Sequence, residues 1–260
     1  MNGPIICGLD GSEHARLAGL FACDLARALR TSLNLVHVIE APAADRLPAL
    51  NGIAAGVPPA AGVQLRVRTG DPAAVLSQPA PAGSLVIVGA RGQGAARRAP
   101  LGRVASRLVA RPLCPVAVLP AGTAAPAGAR SVLCGVRDER DIASAQVAAR
   151  LASALRLRLT LVHVAHGPPE DRGVTYEWGR RLLERVARPL TATLGCDVET
   201  HVVEGSPGPQ LERIAAASDA ALIALGTAKR RPFDAALGRA ASRHLIAHGT
   251  RPVLCCPGGA

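Results

Sequence analysis

Apolar residues along the first half of the chain fall into short runs: IICGLD (5–10), LNLVHVIE (33–40), VQLRVR (63–68), SLVIVGA (84–90) and CPVAVLP (114–120). The runs are continuous rather than alternating, which predicts parallel strands covered on both faces. Between the first two, Leu17, Phe21, Leu25 and Leu29 recur at helical spacing, with Ser12 or Asp10 placed to cap. Before the fifth run, Leu101, Val104, Ala105, Leu108 and Val109 repeat that spacing. Strands alternating with helices predict an open, doubly wound α/β unit with right-handed crossovers.

The pattern then recurs. LNLVHVIE returns as LTLVHVAH (159–166), IICGLDGSE (5–13) as VLCGVRDER (132–140), and GDPAAVL (70–76) as GSPGPQL (205–211). LGRVASRLVARPLCPVAVLP (101–120) returns as LGRAASRHLIAHGTRPVLCCP (237–257). Such self-similarity predicts two tandem five-stranded parallel-sheet domains, 1–121 and 129–260. A Pro-, Gly- and Ala-rich linker at 122–128 joins them. The second copy has gained length in its middle: segment 167–197 reads as an amphipathic helix despite Pro189, whereas its counterpart at 41–62 carries four prolines and reads as a loop.

Composition narrows the function classes. Hydrophobic residues make up 49% and charged ones 19%, so the chain can build packed cores. Aromatics are 2%, too few for stacking on bases to be a main binding mode. No apolar run reaches the ~18 residues of a membrane span, and MNGPIICGLDGSE lacks the features of a secretory signal. The expected location is cytoplasmic. Seven cysteines without a C-x-x-C pair fit reduced, mostly buried thiols.

The net charge of +11 invites a polyanion partner. Against that, a single lysine, Lys229, stands beside arginine for the rest of the 30 basic residues, a skew that resembles coding bias. No zinc-finger spacing or aromatic ribonucleoprotein motif is present, so specific nucleic-acid binding is not expected. The seven histidines form no metal set: His244 and His248 have i, i+4 spacing without a complementing Glu or Cys, and the strand residues His37 and His163 read as core histidines.

Ligands of open α/β sheets sit beyond the carboxyl ends of strands where strand order reverses. There the chain carries Asp10-Gly11-Ser12 and, after Val88, the segment GARGQGAARRAPLGRVASRLV (89–109). Its glycines let main-chain N–H groups approach an anion, and the following helix start adds a favourable dipole. Neither G-x-x-x-x-G-K-[ST] nor G-x-G-x-x-G is present.

Gly89-x-x-Gly92, nine residues and then Gly102, after the fourth strand, resembles the ATP-binding motif of the universal stress protein family. Gly-Leu-Asp10-Gly-Ser, LVHVIE and CPVAVLP are similar to that family as well. The resemblance implies that Asp10 meets the adenosine moiety and Val38 the adenine. It also implies that Val88 and Gly89 border the nucleotide, and that Gly92, Gly102 and Val104 hold ribose and phosphates through backbone groups. Magnesium is the ion that would accompany the phosphates. Arg103 stands where the family has Ser or Thr, so a long cation replaces a hydroxyl and either grips the phosphate or blocks the pocket. In the second copy Arg137 replaces Asp10, Lys229 replaces the second glycine and Arg239 replaces the hydroxyl residue, which reads as a degenerate site. There Lys229, Arg230, Arg231, Arg239 and Arg243 read as a solvated or interface surface.

The expected function is a regulatory, stress-response module that binds ATP through its N-terminal domain, with at most slow hydrolysis. The alternative is a nucleotide-free dimeric interaction scaffold of the same family. The fifth strands, CPVAVLP and RPVLCCP, are expected to pair within the chain as a pseudo-two-fold dimer, and further homodimerisation is left open.

Overall fold

A parallel strand is laid down first in each half of the molecule, and every later strand of that half joins it on one side or the other. The structure is a computed structural model that describes residues 3–40, 62–78, 81–92, 101–120, 123, 128–165, 172–227 and 232–257, without the side chains of 172 and 232–239. The chain divides into two units, Met1–Ala124 and Ala125–Ala260.

The first unit runs β1 (Ile5–Leu9), α1 (Glu13–Leu29), β2 (Leu33–Ile39), β3 (Val63–Thr69), α2 (Pro72–Leu76), β4 (Leu85–Gly89), α3 (Arg103–Ala110) and β5 (Val116–Leu119). All pairings are parallel, in the order β3-β2-β1-β4-β5, with Ile5 of β1 opposite Leu33 on one side and Leu85 on the other. The second unit runs β6 (Ser131–Gly135), a 3₁₀ turn (Glu139–Asp141), α4 (Ile142–Leu155), β7 (Arg158–Ala165), α5 (Arg172–Leu194) and β8 (Val198–Glu204). It continues through α6 (Pro207–Ala217), β9 (Ala220–Gly226), α7 (Pro232–His248) and β10 (Val253–Cys256). Its order, β8-β7-β6-β9-β10, repeats that of the first, again wholly parallel. Each unit is the doubly wound α/β fold that the strand–helix alternation predicts.

Of the helical stripe read from the sequence only Leu25 is fully buried, so the stripe marks a flank of the face that α1 buries. Leu17, Phe21 and Leu29 stay half-buried, while Ala15, Ala18, Gly19, Ala22, Cys23, Leu25 and Ala26 are buried. Small side chains let the helix axis lie close to the sheet, and the bulky residues pack at its flanks. Of the two candidate caps, Ser12 is the N-cap: its side chain accepts from the Ala15 amide at 3.2 Å.

The edge strand β3 also departs from a doubly covered strand. Its sequence alternates, its pairing is to β2 alone among the described strands, and Leu65 is 39% exposed. Its counterpart β8 packs against α5, which continues through the exposed Pro189. The loop expected at 41–62 lies, apart from Gly62, outside the described residues. The repeat GDPAAVL/GSPGPQL forms the starts of α2 and α6, each with proline in its first turn behind an N-cap, Asp71 and Ser206 respectively. Among the described residues no helix is long and apolar enough to cross a membrane.

Candidate functional site

Because β2 and β4 flank β1 and their crossover helices lie on opposite faces, a crevice opens beyond the carboxyl ends of β1 and β4. A cavity of about 620 Å³ lies there. Asp10, Val38, Val88, Gly89, Gly92, Gly102, Arg103 and Val104 all line it, so the structure brings the eight residues singled out in the sequence to one place. Gly94, Arg97 and Arg98 of the same segment lie outside the described residues.

Close approach explains the glycines. A Cβ on Gly89 would stand 2.8 Å from the main-chain carbon of His14, so the start of α1 passes directly over the end of β4. A Cβ on Gly92 would stand 2.2 Å from Oδ2 of Asp10. The loop after β4 therefore crosses immediately above the carboxylate that ends β1. The chain is drawn back by the Gly102 amide, which donates to the Ala90 carbonyl at 2.7 Å. Gly102 is the N-cap of α3 and supplies no side-chain cap, and Arg103, Val104 and Ala105 of the first turn line the cavity. Uncapped first-turn amides at the positive end of a helix form an anion site by their own geometry.

The side chains around this cradle are arranged as pairs. Asp10 Oδ1 accepts from the Ser12 amide at 3.0 Å, closing a turn that starts α1. Arg103 donates to Glu40, the residue following β2. One turn along α3, Arg107 Nη1 donates to Asp71 Oδ2 at 2.6 Å. The Ala74 amide at the N-cap, and then Arg107, hold the Asp71 carboxyl below its ordinary range. The His37 ring meets the Leu9 carbonyl through Nδ1 at 2.9 Å, which requires the proton on Nδ1 since a carbonyl only accepts. Arg91, one of the arginines of 89–109 expected to offer forked donors to a phosphate, also lines the cavity, as do Gly8, Glu40, Pro72 and Leu76, to which the sequence assigned no role. Pro72 and Leu76 recur as Pro207 and Leu211 in the repeated GDPAAVL/GSPGPQL, a signal present in the sequence, whereas Glu40 corresponds to His166 in the second copy and carries no such signal.

The second unit uses the same place differently. At the constant offset between VLCGVRDER and IICGLDGSE, Arg137 takes the position of Asp10 and Asp141 that of His14. Asp141, 1% exposed, accepts from the Arg137 amide at 2.9 Å, from Nε at 3.0 Å and from Nη2 at 3.0 Å. Nη2 also donates to the Gly226 carbonyl at the end of β9. A guanidinium thus spans the carboxyl ends of β6 and β9. Asp138, the next residue, accepts from the Arg140 amide at 2.9 Å. Lys229, Arg230 and Arg231 lie outside the described residues, as does the side chain of Arg239, and Arg243 is exposed. His163 contacts the Val136 carbonyl through Nδ1 at 2.8 Å and packs edge-on against Trp178. Among the described residues no group of three His, Cys, Asp or Glu side chains could hold a metal ion.

A family model, that of the universal stress protein family, matches residues 53–120 and 128–257. No curated protein sequence matches the chain. Among solved structures, a universal stress protein from Archaeoglobus fulgidus aligns with 98% of this chain and 98% of its own, at 17% identity and a TM-score of 0.69. The functionally unknown protein PA1789 from Pseudomonas aeruginosa aligns with 99% of this chain and 93% of its own, at 19% identity and a TM-score of 0.67. A universal stress protein from Archaeoglobus fulgidus in complex with dAMP aligns with 49% of this chain and 97% of its own, at 18% identity and a TM-score of 0.41. The two full-length alignments are likenesses of fold.

Proposed function

The chain belongs to the universal stress protein family, and we propose that its N-terminal unit binds ATP and that the complex, rather than turnover, is its output. One observation carries this reading: Gly89, Gly92 and Gly102 bring the end of β4, the Asp10 carboxylate and the uncapped start of α3 to a single cavity. Its volume of about 620 Å³ falls within the ~300–1,000 Å³ usual for small-ligand sites. In the proposed pose the adenosine lies between Asp10 and Val38, and the phosphates meet the amides of Gly102, Arg103 and Val104. Asp10 receives the Ser12 amide and Glu40 pairs with Arg103, commitments that argue against either serving as a base for water.

For the C-terminal unit, the bridge from Arg137 to Asp141 and Gly226 supports a ligand-free role. Calorimetry with ATP on the wild-type chain, Gly92→Val and Asp10→Ala tests the site: binding by the wild type alone is expected, and equal binding by all three overturns the assignment. Phosphate release over many equivalents of enzyme would overturn the view that the complex is the output.

A further inference from the structure

Arg103 opens α3, at the end of the helix where the dipole disfavours a cation. Its guanidinium is nonetheless paired there with Glu40, the residue following β2, and both residues line the cavity. The two side chains are 64% and 52% exposed, so both can exchange partners without leaving water. We propose that the Arg103–Glu40 pair is a displaceable latch, in which Glu40 stands in for a ligand phosphate and hands Arg103 to the phosphate when a nucleotide enters. The proposal rests on the N-terminal unit being a nucleotide site and names what regulates that site.

The chemistry favours the exchange in one direction. Glu40 offers Arg103 one carboxylate. A phosphate at the same point offers the guanidinium a matching pair of oxygens and simultaneously accepts from the first-turn amides of α3. Once displaced, the Glu40 carboxylate is solvated. Until it is displaced, it repels each phosphate that approaches. Glu40 therefore sets how strongly the cavity distinguishes a phosphorylated nucleoside from a bare one, and Arg103 acts as a clamp on the phosphate rather than a plug. Arg107, paired with Asp71 at the N-cap of α2, does not line the cavity and so is not placed for this task.

The experiment measures the affinity of ATP and of adenosine for the full-length wild-type chain, Glu40→Gln and Arg103→Met, at low and at high salt. Glu40→Gln is expected to raise the ATP-to-adenosine affinity ratio about two- to fivefold at low salt, the range of an exposed ion pair. The gain should shrink at high salt as screening weakens both the pair and the repulsion. Arg103→Met is expected to lower the ratio below that of the wild type. A wild type that binds ATP with a ratio unmoved by Glu40→Gln overturns the latch alone, and a ratio raised by Arg103→Met makes Arg103 a plug. Absence of ATP binding by all three chains overturns both the latch and the nucleotide site.

Discussion

Arg137 and Asp141 form a three-bond pair in which a carboxylate 1% exposed receives the amide, Nε and Nη2 of the residue four positions before it. The geometry makes the two partners unequal. Arg137 is 28% exposed and can reach water, whereas Asp141 cannot. Removing the arginine leaves a buried charge without its counter-ion, which typically costs about 3–5 kcal/mol. We expect Arg137→Met to destabilise the protein by roughly that amount in urea titrations. The double variant Arg137→Met/Asp141→Ala should be less destabilised than Arg137→Met alone, because the stranded charge is gone. Additive losses would show that the pair is not coupled.

The glycines of the N-terminal cavity should differ in tolerance. At Gly89 a methyl group would meet main-chain atoms of His14 at 2.8 and 2.9 Å, and backbone cannot swing aside. Gly89→Ala is expected to cost about 1–3 kcal/mol, as overpacking does. At Gly102 the nearest atom is the Ala90 carbonyl oxygen at 3.3 Å and φ is −70°, a value open to any residue. Gly102→Ala should therefore cost under about 1 kcal/mol, the scale of a changed N-cap. Chemical denaturation of the two variants checks this order, and the reverse order would contradict the close approach of α1 to β4.

Acid should weaken α5 in a defined window. Hydrogen bonds from Arg180, and then Arg181, hold the Glu177 carboxyl at about 2, below its ordinary 4.5. A folded-state value below the unfolded one means that the contribution is present above pH 4.5 and is lost as pH falls toward 2. Melting temperatures of the wild type and Glu177→Gln should therefore converge across that interval, and more so at low salt. Parallel curves would show that these exposed pairs contribute nothing to stability.

Thiol chemistry should find one reactive position. Cys114 is half-buried, and the other six cysteines are buried and free. Burial pushes Cys255 up to about 12 and raises Cys7 and Cys134 further, so their thiolates are scarce at neutral pH. A thiol-reactive dye at pH near 8 is expected to label one thiol quickly in the native protein and all seven after denaturation. More than one fast thiol would mean that one of the buried cysteines is accessible.

The layout of both units was legible because central parallel strands must be apolar throughout: IICGL and LVIVG read the same in sequence as in the sheet. The cavity lining was legible through the family resemblance that the glycine spacing after the fourth strand carries, which implied Asp10, Val38 and Val104 as well as the glycines. Helix faces were harder. In α1 most large apolar side chains mark a flank and alanines mark the packed face, so a search for bulky periodicity meets that face only at Leu25. The short helix α2 carries too few residues for any period, although the Pro-after-cap pattern that it shares with α6 was visible. Asp141 was missed because Arg137 was compared with Asp10 alone. Comparing positions 14 and 141 as well would have shown that the partner changed together with the residue.

The guanidinium that bridges Gly226 and Asp141 is attached to the chain, and so is present at its target at a fixed and high effective concentration whatever the solution contains. A diffusing solute would have to exceed that effective concentration to displace it. Under the proposed function, the chain would take up one nucleotide through its amino-terminal copy, while the carboxy-terminal copy carries its own cation at the corresponding place.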